Sequence, residues 1–354
     1  MTPLADILAR RIAATGPITV ADYMADCLMH PEHGYYTARE PFGTAGDFIT
    51  APEISQMFGE MIGLWLAQAW IDRGRPAPFT LAELGPGRGT LMADILRAAG
   101  TVPGFQAAAR VHLVEASPRL REAQRAALGG TAVTWAEGVA DLPAAPLFLV
   151  ANEFFDALPI RQFQRDPAGW RERQVGLDGE TLAFGLSAPA PLADLQGRLG
   201  DTTPGDIVET RPAASAIMQT IAARIAAHGG AALILDYGDW RSRGDTLQAV
   251  RGHAPEPPLA HPGAADLTAH VDFAALADAA RGVTVGPMVP QGGFLERLGI
   301  TARAQALARR LSGAALESHI AAHRRLTHPQ EMGTLFKTLA LTDRGASPLP
   351  GFDP

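Results

Sequence analysis

The segment Glu83-Leu84-Gly85-Pro86-Gly87-Arg88-Gly89-Thr90 concentrates the residue types that a small-molecule site needs. It follows the apolar run Phe79 to Leu84 and precedes Leu91 to Arg97, which has helical spacing. Glycine lets the backbone take positive φ and lets a ligand approach it closely. The helix behind the turn offers unpaired N–H groups at its amino end. The order Gly-x-Gly-x-Gly differs from the Gly-x-Gly-x-x-Gly of dinucleotide sites, and no P-loop lysine follows. Glu83 would sit badly beside a pyrophosphate and suits an ammonium group. A second apolar run, Val111 to Val114, ends in Glu115-Ala116. A carboxylate at the end of the second strand is placed to take ribose hydroxyls. Glycine turn plus ribose acid, without a phosphate-binding pattern, points to S-adenosylmethionine. The alternative is an ordinary strand–turn–helix that binds nothing. The expected ligand contacts are Glu83, Gly85, Pro86, Gly87, Gly89, Thr90, Glu115 and Ala116.

A second group of polar residues follows a fourth apolar run, Leu147 to Ala151: Asn152-Glu153-Phe154-Phe155-Asp156. In open α/β sheets, ligands lie outside the carboxyl ends of the strands, near a switch in strand order. The fourth strand of such a sheet usually neighbours the first. Asn152, Glu153 and Asp156 are therefore expected to face the same cleft as the glycine turn, with Asn152 also touching the cofactor. Two uses of the trio fit the spacing equally. It could hold a cationic or hydrogen-bonding substrate group, or it could cap a helix, with Asn152 as N-cap. Asp47 and Phe48, in the loop Gly43 to Pro52, are candidates for a substrate-contacting lid, although composition alone favours a plain surface loop. His270 is a candidate substrate contact or general base, and Asp272 beside it a helix cap. Asp236-Tyr237 ends a fifth apolar run and is expected at the same rim. The ten histidines are scattered without metal-ligand spacing, so no metal site is expected. Cys27, the one cysteine, sits in an apolar helical stretch and reads as a buried structural thiol.

The elements that must position these groups alternate. Strands are expected near 79–84, 110–115, 131–135 and 146–151, with helices at about 89–99 and 117–127. This is the pattern of a parallel α/β sheet, Rossmann-like in class. A hairpin is expected from 160–165 to 170–176, a buried strand at 231–237 and a short late strand at 283–285. Residues 240–269 read as loop, 292–325 as helix and 348–354 as a loose tail. The expected division is a helical N-terminal cover with the lid loop (1–78), a core with insertions near 160–205 and 239–270 (79–290), and a helical C-terminal segment packed on the core (291–354).

At 354 residues the chain can bury a large core. A net charge of −7 argues against a nucleic-acid protein driven by bulk charge. No run of about 18 apolar residues marks a membrane span. The amino end has an amphipathic pattern and an acid, Asp6, and reads as a helix more than as a transit peptide. With a single cysteine, this places the chain in the cytoplasm as an expectation.

The chain resembles the MidA-like class I methyltransferases, whose mitochondrial members are assembly factors of respiratory complex I. The resemblance runs from about Ala21 to Leu339. It is carried by His30-Pro31-Glu32-His33-Gly34-Tyr35-Tyr36, by Gly46 to Glu53, by the Glu83 to Thr90 turn and by Asn152 to Pro159. Gly244 to Ala249, Asp266 to Phe273 and Gln291-Gly292 complete it. It implies a Rossmann-like sheet with added helices, S-adenosylmethionine as cofactor, Gly85, Gly87 and Gly89 near its methionine part, and Glu115 on its ribose. It further implies dimethylation of an arginine on a core complex I subunit, for which Glu153 and Asp156 are the residues expected to grip the guanidinium. The alternatives are a methyltransferase for another protein or a small molecule, and a cofactor-binding assembly chaperone without turnover.

Overall fold

In the computed structural model, which describes residues 2–38 and 50–352, Phe79–Leu84 (β1) is buried along its whole length. A strand buried on both faces reads as a continuous apolar run, which is why it was legible. Ala109–Val114 (β2) pairs parallel with one edge of β1, and Val133–Ala136 (β3) continues parallel beyond β2. Leu147–Asn152 (β4) pairs parallel with the other edge of β1. Gly230–Asp239 (β5) lies parallel to β4. Thr284–Val285 (β6) and Val289–Pro290 (β7) both pair antiparallel with Phe336–Thr342 (β8), which runs antiparallel to β5. The strand order is β6-β8-β5-β4-β1-β2-β3, with β7 also on β8. This is the α/β sheet the sequence announces, with one reversed strand inserted near an edge.

This sheet belongs to the second of two units, formed from Ile49–Phe155, Ser215–Trp240 and Phe273–Pro354. Its helices include Ala51–Ile54 (α1), Gln56–Asp72 (α2), Thr90–Ala99 (α3) and Pro118–Leu128 (α4). Helices α2 and α3 touch closely. A Cβ at Gly63 would come within 2.9 Å of the Ile95 Cα, so only glycine admits this approach. Beside that contact Glu60 is almost wholly buried, and Arg97 and Arg303 each donate to it at 2.7 Å. Burial alone would raise the Glu60 carboxyl, but the two arginines outweigh it and hold the group below its ordinary range.

The first unit gathers Met1–Phe48, Asp156–Ala214 and Arg241–Asp272. Helix Val20–Met29 opens with a capping box between Thr19 and Asp22. The hairpin Arg161–Asp166 and Gly169–Asp178 forms as its spacing predicts, and joins Ile18–Thr19, Thr181–Leu186 and Ile207–Thr210 in one sheet. Leu8, Tyr23, Met24, Ile160, Val175 and Leu267 pack in its core. Cys27 is buried there, its thiol pushed up to about 12 by burial, as befits a structural cysteine.

Four expectations about organisation need correction. Residues 248–251, 254–256 and 266–268 form a three-stranded sheet where a loop was expected. The C-terminal segment is not helical throughout, because β8 lies between β5 and β6. The tail is not loose: Leu349 and Phe352 are buried, and Trp65 donates to the Pro350 carbonyl at 3.0 Å. The N-terminal region is not one segment, since α1 and α2 belong to the sheet unit and the residues before them to the other. Among the described residues no helix is long and apolar enough to cross a membrane.

Two stability outcomes follow. Phe352→Ala empties a buried site next to Phe294 and is expected to cost about 3 kcal/mol, read from denaturant unfolding. A chain ending at Leu335 lacks β8 and is expected to lose cooperative unfolding altogether; a sharp transition in that truncation would show that the sheet closes without it.

Candidate active site

The parallel pairing of β1 with β4 matches Leu84 with Ala151, so Gly85 and Asn152 leave the two strands side by side. The turn after β1 is closed by hydrogen bonds from Gly85 N to the Val114 carbonyl and from Gly89 N to the Pro86 carbonyl. Gly85 has φ +58°, and a Cβ there would lie 2.8 Å from the ring of Phe154. The ring thus packs where a side chain would stand, and ties the end of β4 to the turn. Gly87 and Gly89 also have positive φ, and α3 begins at Thr90. Pro86 and Gly89 are buried, while Gly85 is open at the surface.

Glu83 sits just below the turn and is buried. Burial pushes its carboxyl up to about 8; the Met92 N–H at the amino end of α3 opposes this, and nearby Glu115 adds to it. Its Oε2 is buried and accepts no hydrogen bond. A buried acceptor of this kind without a partner costs about 1–3 kcal/mol, and a cationic ligand would remove the cost.

Glu115 follows β2 and is also buried. Its Oε1 accepts from Ser117 N at 2.7 Å and its Oε2 from Gln124 Nε2 at 3.2 Å. Burial raises this carboxyl above its ordinary value, against the bonds from Ser117 and Gln124. Gln124, fully buried on α4, also donates to the Gly87 carbonyl at 2.8 Å and accepts from Trp135 Nε1 at 2.7 Å. One amide therefore links the acid after β2, the glycine turn and β3. Ser117 caps α4 with Pro118 at its first position, as the sequence predicts, and Ala116 is exposed between them.

The end of β4 decides against one of the two readings of its acidic trio. No helix follows Asn152, so the capping alternative falls. Glu153 Oε1 accepts from Ala51 N at 2.9 Å and from Asn152 Nδ2 at 3.1 Å. One oxygen of its carboxylate is thus engaged by the protein. Asn152 is buried, and its Oδ1 has no hydrogen-bond partner. Asp236 is fully buried and accepts from the backbone N–H of Phe155 and of Tyr237, both at 2.9 Å, and so fixes the chain after β4. Glu53 on α1 accepts from Thr90 Oγ1 at 2.6 Å, joining α1 to the start of α3.

Asp156 and His270 belong to the other unit. Asp156 is buried there, and with Asp266 it helps hold the Tyr36 hydroxyl far above its ordinary value, burial being the largest cause. Tyr36 donates to Asp266 Oδ1 at 3.0 Å. The backbone N–H of His270 donates to Thr246 Oγ1 at 2.9 Å, and Arg211 donates to the carbonyls of Leu158, Ala269 and His270. Asp272 accepts from Ser242 N at 3.3 Å. The motifs around Gly244 and Asp266 therefore build a polar framework within that unit. Asp47 and Phe48 lie outside the described residues. Among the described residues no cluster of metal-ligating side chains occurs.

Sequence reasoning missed Gln124, Phe154 and the contacts of Glu53. Glu53 and Phe154 stand in motifs that carry the resemblance, whereas nothing in the sequence around Gln124 marks it. The two unpartnered oxygens, the glycine turn and the Glu115 carboxylate together suit S-adenosylmethionine, a ligand with a cationic amino-acid end and a ribose.

A family model described as S-adenosyl-L-methionine-dependent methyltransferase matches residues 61–288. The mitochondrial protein arginine methyltransferase NDUFAF7 of Mus musculus is 39% identical over 371 residues, covering 96% of this chain and 84% of its own. The Homo sapiens protein of the same name is 38% identical, covering 96% and 83%. A crystal structure from Burkholderia thailandensis with S-adenosyl-homocysteine bound has a TM-score of 0.84 at 30% identity, covering 98% of this chain and 93% of its own. The relatives are named as mitochondrial proteins, which overturns the cytoplasmic expectation drawn from the lone cysteine and the amphipathic amino end.

Two outcomes at the turn are expected. Gly85→Ala forces a Cβ against Phe154 at positive φ, and should weaken S-adenosyl-homocysteine binding at least tenfold by calorimetry while the protein stays folded. Between about pH 4.5 and 8, folded protein holds a proton on Glu83 that an unfolded chain has released, so the empty protein loses stability as pH rises through that window. A ligand ammonium beside Glu83 expels that proton. Calorimetry at pH 7 in buffers of different ionisation heat should therefore show proton release on binding, absent in Glu83→Gln; equal release in both would place the ammonium elsewhere.

Proposed function

The chain belongs to the S-adenosyl-L-methionine-dependent methyltransferase family, and from that premise we propose that it methylates an arginine of a protein, a core subunit of respiratory complex I during assembly. The observation that carries the arginine reading is 38–39% identity, over 96% of the chain, to relatives named as protein arginine methyltransferases. The complex I reading is supported by the motifs that run from His30 to Gln291-Gly292.

When bound, the cofactor supplies an electrophilic methyl group on a sulfonium. The residues that would hold it are Glu83 for the ammonium, Gly85, Gly87 and Gly89 with the amino end of α3 for the methionine part, and Glu115 for the ribose hydroxyls. Pro86, Thr90 and Ala116 shape the backbone between these contacts. The Glu115 carboxylate keeps lone pairs beyond its bonds to Ser117 and Gln124, and those bonds fix its direction before any ligand arrives.

An arginine acceptor stays protonated, with a pKa above about 12. Its attacking nitrogen must leave conjugation, and the proton it loses as the N–CH3 bond forms passes to solvent water, so orientation matters more than basicity. A neutral oxygen such as Asn152 Oδ1 can take a hydrogen bond from that nitrogen and aim it. Glu153 supports this from behind, through the Asn152 amide. Asp156 and His270 are carried on the other unit, and no step is assigned to them.

Mass spectrometry of complex I core subunits, from cells with and without this protein, tests the proposal. Dimethylarginine is expected on one core subunit in wild-type cells, lost on deletion and not restored by Asn152→Ala. If the subunits are unmodified in wild-type cells that express the protein, the complex I target fails and the methyltransferase needs another acceptor.

A further inference from the structure

We propose that Glu153 is a positioning residue that locks the Asn152 amide with its carbonyl oxygen facing the methyl-transfer position, making that position selective for an N–H donor. The inference rests on the nitrogen-acceptor reading above only for what the donor is.

Glu153 Oε1 accepts from the Ala51 N–H at 2.9 Å and so acts as an acceptor, which an amide can meet only with its NH2. Glu153 Oε1, 3.1 Å from the Asn152 side chain, therefore selects the amide rotamer whose NH2 faces it. The opposite end of the amide, Oδ1, is then turned away from Glu153. That oxygen is buried and has no hydrogen-bond partner among the described residues. It lies at the carboxyl end of β4, level with the start of the glycine turn on β1, where strands lead off to either half of the sheet. Ligands of open α/β sheets bind at such a switch point.

Glu153 is itself held in an unfavourable way. Its φ is +49°, a left-handed conformation that a glutamate rarely adopts. Such an outlier persists only where the surroundings over-determine it, and these outliers gather at functional sites. Here Ala51 N at the start of α1 donates to the same Oε1 at 2.9 Å. The left-handed turn brings the carboxylate back against the residue before it, so that one oxygen serves both α1 and Asn152. A side chain that only stabilised the fold would not need to orient a neighbour whose other end is left empty.

Calorimetric titration of the full-length protein with S-adenosyl-homocysteine and with sinefungin separates the possibilities. Sinefungin has carbon in place of the sulfonium sulfur and an amine in place of its methyl group, and so presents N–H groups at the transfer position. Wild-type protein is expected to prefer sinefungin by about tenfold, the effect of one charge-assisted hydrogen bond. Asn152→Ala should abolish the preference. Glu153→Ala should reduce it to about twofold, and Glu153→Gln, whose carbonyl oxygen can accept the same two bonds, should restore most of it. Glu153→Gly suits the positive φ, and should fold well yet lose the preference as the alanine variant does. A wild type without preference, an Asn152→Ala variant weakened equally toward both ligands, or Glu153 variants that keep the full preference would each overturn the proposal. If the preference holds and dimethylarginine is absent from cellular proteins, the selectivity stands and the acceptor is a different nitrogen.

Discussion

The parallel register between β1 and β4 is the constraint on which the site depends. The two strands are separated by more than sixty residues of sequence, yet their pairing ends with Leu84 against Ala151. A slip of one residue would turn every side chain of β4 to the opposite face. It would part Asn152 from the turn and move Phe154 off Gly85. The register is secured by burial of both strands on both faces, so the apolar core far below sets the position of polar atoms at the rim.

Around that edge the protein tolerates electrostatic cost where ligand chemistry requires it. Glu83 and Glu115 are both buried acids, each raised above its ordinary value by burial, and Glu115 adds to the rise at Glu83. Elsewhere buried charge is compensated, as at Glu60 between two arginines. The contrast is informative. An acid paired inside the protein is a structural device, whereas one left with an unpartnered oxygen beside a glycine turn fits the ammonium role proposed for Glu83.

Much of the main sheet was legible because β1, β2, β4 and β5 are short, mostly apolar runs bounded by glycine, acid or asparagine. β8 was not, because Lys337, Thr338 and Thr342 break the apolar run of Phe336–Thr342. A short buried run after a helical stretch has no periodicity that separates strand from helix, and its partners lie a hundred residues earlier in β5. The sheet within residues 248–268 was hidden by prolines and glycines, which mark turns without revealing what the turns connect. At the site, the glycine turn and Glu115 were readable from type and spacing. The use of Glu153 was not, since its left-handed backbone and its bond to Ala51 depend on packing between distant segments. Gln124 gave no signal because a buried glutamine on an amphipathic helix resembles a surface one.

Each unit is assembled from three separate stretches of chain. The first cannot be complete until Asp272 has been made, and the sheet of the second waits for Phe336–Thr342. A ribosome must therefore make about three quarters of the polypeptide before the first unit has all its parts, and nearly all of it before the second does. The nascent chain spends its synthesis with apolar strands unpaired, the condition in which chaperones are most needed. Interleaving also ties the two halves to one fate. Neither can be duplicated, exchanged or lost as a cassette during evolution without breaking the other, so this protein is expected to vary through loop changes and point substitutions, not by domain shuffling.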